Sequence, residues 1–145
     1  MGEFAKYFSA SEFVCKCSND RCPGKSTVPS TDLLGGLDQL RELAESPIEI
    51  VSGIRCRAHN RQVGGAEDSR HLPIHADAAD IVIQGKSVEE MVELALRIAV
   101  FRYGGIGIYD NRIHVDTRPY LARWPKGCWQ SQTEFTTFAE QENFA

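Results

Sequence analysis

The sequence predicts an α+β fold. Two apolar stripes at helical spacing, three or four short runs rich in β-branched residues, and no regular alternation between the two kinds carry that expectation. Residues 1–29 read as irregular. Phe4, Tyr7, Phe8 and Phe13 are the expected anchors onto a core, and Pro23, Gly24, Ser26 and Pro29 mark a loop. A helix is predicted over 30–46, where Leu33, Leu34, Leu37, Leu40, Leu43 and Ala44 form one apolar stripe. Ser30 or Thr31 caps its start and Asp32 lies in its first turn. Gly35-Gly36 either weakens it or marks close packing, and Pro47 ends it.

Residues 48–52 alternate and are β-branched, which predicts a strand. Residues 53–72 read as loop, with a turn at Gly64-Gly65, and 79–83 as a second, buried strand. Ser87-Val88-Glu89-Glu90 is a capping box that opens a helix to about residue 102, with Val88, Met91, Val92, Leu94, Ala95, Ile98 and Ala99 as its apolar set. Gly104-Gly105 breaks it. Residues 106–109 and 112–117 predict a hairpin turning at Asp110-Asn111. The tail from Arg118 holds Trp124 and Trp129, and its polar end is expected to fray.

The 145 residues suit a single domain over 1–145, with a core at 8–125 and a tail at 126–145. A net charge of −4 argues against a nucleic-acid partner held through its phosphates. No apolar run approaches the roughly 20 residues that span a bilayer. The N-terminus lacks a basic segment followed by an apolar one, so cytoplasmic synthesis without a secretory signal is expected. The chain is expected to be a monomer. Of the five cysteines, Cys15, Cys17 and Cys22 cluster while Cys56 and Cys128 stand apart. With Cys56, the cluster offers a second, structural metal four thiolate ligands, although C-x-C-x4-C is not a standard zinc spacing. The plainer reading is a group of reduced, partly buried thiols.

The chemistry concentrates in two segments. Ser69-Arg70-His71 leads, past His75, into Ala78-Ala79-Asp80, and Ile113-His114-Val115-Asp116 follows later. On a strand His114 and Asp116 share one face, with Val115 on the other. Asp80 opens an apolar strand and needs a partner, because an unpaired buried carboxylate is costly. His71 lies on the preceding loop. Two histidines and an aspartate are a ligand set for catalytic zinc with a fourth position open. Such a site needs a general base, for which Asp116 is the first candidate and Asp110 the second. Arg55 is placed to stabilise charge or to hold a substrate carboxylate. Three alternatives stand beside these roles. Asp116 orients His114, Arg55 pairs with Asp68 or Glu67, and His59 and His75 are ordinary hydrogen-bonded histidines.

A longer ordered pattern adds to this. Phe8-Ser9-Ala10-Ser11-Glu12-Phe13, the run from Pro47 through Ser52-Gly53-Ile54-Arg55-Cys56, and His59-Asn60-Arg61-Gln62-Val63-Gly64-Gly65-Ala66 come first. Ser69-Arg70-His71, Ala78-Ala79-Asp80-Ile81, Gly104-Gly105-Ile106-Gly107-Ile108-Tyr109, His114-Val115-Asp116-Thr117 and Trp124 follow. Over residues 8–125 the chain resembles the D-alanyl-D-alanine carboxypeptidase family of zinc metallopeptidases. That circle includes phage endolysins and the K-type murein endopeptidase. The resemblance implies the hedgehog/DD-peptidase fold, a small antiparallel sheet flanked by helices. It implies one catalytic Zn2+ on His71, Asp80 and His114, hydrolysis of peptidoglycan stem peptides, and Arg55 and Ser69 near the substrate. It suits a prophage lysis enzyme that reaches the cell wall after holin-type release.

Two departures stand out. Eight residues separate His71 from Asp80 where the family has six including a glycine, which makes His75 and Asp77 rival ligands. Asn111 occupies the position where many relatives place an acid, which moves the base role to Asp116. The competing functional expectation is a non-catalytic metal-binding module of the same fold that binds cell-wall peptides or a protein partner.

Overall fold

The computed structural model describes residues 5–131 and 134–135. Its centre is a five-stranded sheet of β1 (Ile48–Ser52), β2 (Ala78–Ile83), β3 (Gly105–Ile108), β4 (Ile113–Asp116) and β5 (Ala122–Trp124), in the order β1-β2-β4-β3-β5. Every neighbouring pair is antiparallel except β3 with β5. A separate antiparallel pair, β6 (Trp129–Ser131) and β7 (Glu134–Phe135), follows. The helices are α1 (Thr31–Ala44), α2 (Arg57–Gln62), α3 (Val88–Ala95) and α4 (Ala99–Arg102). The α+β expectation and the mostly antiparallel sheet hold.

The two-residue period of the strands divides the sheet into two faces. On one face Ile48, Ile50, Ala79, Ile81, Ile83, Ile106, Ile108, Ile113 and Val115 are buried in a single core. That core is closed by Leu33, Leu34, Leu37 and Leu40 of α1, by Met91, Val92 and Ala95 of α3, and by Phe101 of α4. The other face carries the chemistry. Register sets Ser52 opposite Asp80, Asp80 opposite His114, His114 opposite Gly107, and Gly107 opposite Trp124. One row of side chains therefore crosses all five strands. Beside it runs a second row of Ala78, Asp116, Gly105 and Ala122.

Local chemistry sets most boundaries. Ser30 Oγ accepts the Leu33 amide at 3.2 Å, and α1 ends on Glu45 in the left-handed region just before Pro47. Gly36 belongs to close packing, because a Cβ there would meet Val100 and Phe101. Ser87 and Glu90 form the expected capping box of α3. Ser87→Ala removes the acceptor of the Glu90 amide, a loss of about 1 kcal/mol for such caps. The expected outcome is a melting temperature about 2–4 °C lower in a thermal scan, with activity unchanged.

The structure corrects the element assignment in three places. The helix predicted to residue 102 breaks, because Ile98 is extended (φ −100°, ψ 115°). The break shifts the apolar phase, so Phe101 is buried while Ala99 faces outward. Within the stretch read as loop, α2 forms from Arg-Ala-His-Asn-Arg-Gln, a polar run without apolar periodicity whose cap acceptor is the Cys56 thiol. Strand β5 is three residues long and carries no alternation to read. Among the expected anchors Phe8 and Phe13 are buried and Tyr7 is exposed. Phe4 and the polar end beyond residue 135 lie outside the described residues.

Candidate metal centre

Asp80 and His114 face each other across β2 and β4, and His71 reaches the same point from the loop before β2. The three facing atoms form a nearly equilateral triangle. His71 Nε2 lies 3.2 Å from Asp80 Oδ1 and 3.2 Å from His114 Nδ1, and His114 Nδ1 lies 3.1 Å from Asp80 Oδ1. All three residues are buried.

The outer nitrogens of both rings settle the tautomers. His71 Nδ1 meets the Gly53 carbonyl at 2.6 Å, an acceptor, so Nδ1 donates and Nε2 keeps its lone pair. His114 Nε2 meets Asp116 Oδ2 at 2.7 Å, a carboxylate that holds its pKa well below the ordinary range, so Nε2 donates and Nδ1 keeps its lone pair. With both rings neutral, three lone-pair atoms converge on one point, an arrangement that suits a cation. Donors about 2.0–2.1 Å from a tetrahedral zinc stand about 3.3 Å apart, close to the edges of this triangle. The residues present fit a zinc ion with three protein ligands.

The three candidate ligands are themselves held. Arg55 Nη2 donates to Asp80 Oδ2 at 3.1 Å, which leaves Oδ1 as the oxygen that could coordinate a metal. Arg55 is fixed in turn by Ser52 Oγ at 3.1 Å and Asn60 Oδ1 at 3.1 Å. Burial raises the Asp80 pKa, but a proton on either facing ring nitrogen donates to its carboxylate, and these hydrogen bonds and charges from His114 and His71 hold the pKa far below the ordinary carboxylate range. Asp116 is fully buried and accepts from His114, the Gly105 amide at 3.0 Å, and Arg118 at 2.6 Å. Burial works against its ionisation, and His114 and Arg118 outweigh it. Burial lowers the His71 pKa; it also works against a charged His114, where Asp116 and Asp80 win and the pKa rises. Glycine is required at two points of the sheet. A Cβ on Gly107 would lie 2.2 Å from the Trp124 ring, which packs tilted against His114 at 4.9 Å, and a Cβ on Gly105 would lie 2.3 Å from Asp116 Oδ2.

His71 and His114 of the triad line a pocket of about 340 Å3 together with Arg55, Ser69, Arg70, Arg118, Tyr109 and Trp124, among others. Ser69 accepts the His71 amide at 3.1 Å and lies on the pocket wall. Asp116 does not line the pocket; its Oδ2 is taken by His114 and Arg118 and its Oδ1 by the Gly105 amide and Arg118. Asp110 and Asn111 are exposed at the turn after β3 and do not line the pocket. His75 pairs with Asp68 at 2.9 Å and Asp77 with Arg70 at 2.6 Å, so neither rival ligand joins the triad. The two extra residues are absorbed by a tight loop in which Ala76 takes a positive φ of 49°. Arg55 pairs with Asp80, not with Asp68 or Glu67.

Sequence reading missed Arg118, whose only signal is its place two residues beyond Asp116. It also missed Tyr109, whose hydroxyl accepts from Trp124 Nε1 at 3.1 Å, and Arg112, which stacks on Tyr109 and lies 3.8 Å from Asp80. The other group of converging ligand atoms among the described residues is Cys15, Cys17, Cys22 and Cys56.

An α+β sheet presenting a His-Asp-His triad beside an open pocket defines a candidate metal centre. Residues 6–116 match the family model described as Peptidase M15. The chain belongs to the M15 peptidase family, a family of zinc peptidases of the D-alanyl-D-alanine carboxypeptidase type. No curated protein matches the chain.

Proposed function

We propose that this chain hydrolyses peptide bonds in peptidoglycan stem peptides, with zinc held by His71, Asp80 and His114. The observation that carries the reading is the convergence of three lone-pair atoms, 3.1–3.2 Å apart, beside an open pocket. Zinc bound there lowers the pKa of its water and polarises the scissile carbonyl. The chain's own residues prepare that chemistry. Arg55 holds Asp80 to one coordinating oxygen, and Asp116 fixes the tautomer and tilt of His114. Trp124 covers the His114 ring and limits its solvent access. Arg70 and Arg118 on the pocket wall are held in place by Asp77 and Asp116, which fixes the shape of the wall that a substrate meets. Asp116 acts here as a positioning residue and not as the base. The cell wall is then the place of action, reached by holin-type release; no helix among the described residues is long and apolar enough to cross a membrane.

The test is fragment release from purified peptidoglycan. Chelator treatment is expected to stop it, and zinc re-addition to restore it within the same sample. Zinc binding without any release of fragments would identify a binding module of this fold instead.

A further inference from the structure

Four sulfurs converge at residues that do not line the triad pocket. Cys17 Sγ lies 3.4 Å from Cys22 Sγ and 3.9 Å from Cys56 Sγ, and the sulfurs of Cys15, Cys17, Cys22 and Cys56 all lie within 4.8 Å of one another. Four thiolates about 2.3 Å from one zinc ion stand about 3.8 Å apart, at the corners of a tetrahedron. All four are free thiols. We propose that they hold a second zinc ion in a closed, structural, all-thiolate site.

Three further observations support a metal over a patch of small apolar groups. These cysteines form a cluster of their own, separate from the main core, so residues 15–22 have no large apolar side chain to bury there. Backbone amides aim at the sulfurs: Cys56 N to Cys15 Sγ at 3.4 Å, and His59 N to Cys56 Sγ at 3.4 Å. Such N–H···S bonds stabilise charged thiolates. The Lys25 ammonium binds the carbonyls of Cys15 and Cys17, placing a positive charge beside four ligands whose zinc complex is net negative. Four soft donors leave no open position, which suits structural zinc and no catalytic role.

The site also braces the triad. The Ile54 amide donates to the Phe13 carbonyl at 2.8 Å, and the Cys56 amide to Cys15 Sγ, which ties residues 53–56 to the cysteine loop. From the other side His71 Nδ1 donates to Gly53 O, and the Arg55 amide donates to His71 O at 2.8 Å. Residues 53–56 are therefore clamped between the thiolate cluster and a ligand of the triad.

Cobalt substitution tests this on the whole chain. The triad has no sulfur and Cys128 lies in the main core, so thiolate-to-cobalt charge-transfer absorption reports the cluster alone. The expected result is a band whose final intensity matches one tetrathiolate cobalt per chain, reached by two equivalents of cobalt, and which disappears when zinc displaces it. Metal analysis is expected to find two zinc ions per chain, falling to one in Cys22→Ser. A folded chain that binds cobalt without sulfur absorption would overturn the proposal, and so would equal reactivity of the thiols with and without zinc. Because the unsubstituted chain is read directly, a Cys22→Ser variant that fails to fold does not remove the test. Failure of the peptidase reading shows separately, as lost hydrolysis with the sulfur band intact.

Discussion

His114→Ala is expected to abolish peptidoglycan hydrolysis and the zinc-dependent rise in thermal stability together. The substitution removes one of three donors, so the triad can no longer enclose a cation. It leaves Asp80 Oδ1 and His71 Nε2 facing each other at 3.2 Å. It strips Asp116 of one partner, and it opens a void beneath Trp124, which packs on the ring at 4.9 Å. Truncations of comparable buried side chains cost on the order of 2–5 kcal/mol. The unsubstituted chain should gain about 2.7 kcal/mol from zinc at a hundredfold excess over its dissociation constant. Thermal melts with and without zinc, beside a fragment-release assay, check both parts. Zinc bound at the cysteines adds its own shift, so the comparison is made with cysteine-site zinc already loaded. A His114→Ala chain that still hydrolyses peptidoglycan would sink the assigned centre.

Asp116→Asn is expected to weaken zinc at the triad about 10–100-fold, the usual cost of losing a carboxylate that orients a ligating histidine. Asparagine keeps the shape but loses the charge that fixes the His114 tautomer and pairs with Arg118. Turnover should fall at limiting zinc and recover in large part when zinc is saturating. A proton-accepting Asp116 gives the opposite pattern: unchanged zinc affinity, and turnover that no zinc concentration restores. Activity followed across a zinc titration separates the two.

The centre was partly legible in the sequence because strands have a two-residue period. His114 and Asp116 at i and i+2 had to share a face, and the apolar run after Asp80 marked a strand on which the carboxylate needed a partner. The capping box at Ser87 and the leucine stripe of α1 were readable for the same local reason. The helix break at Ile98, the polar helix α2 and the short strand β5 were not. Each answers to burial elsewhere in the molecule: Phe101 reaching the core, Asn60 reaching Arg55, and Trp124 reaching His114.

By itself, the sequence determined which residues were available for metal chemistry and which faces of the strands would carry them, since both follow from side-chain type and backbone period. Tertiary structure alone decided the roles. Register placed Asp80 opposite His114, and a tight loop sent His75 to Asp68 and Asp77 to Arg70. It also put Asp116 against Nε2 of His114 and turned Arg55 onto Asp80. Those outcomes rest on which charged groups meet where water is excluded, and distance along a chain does not encode such meetings.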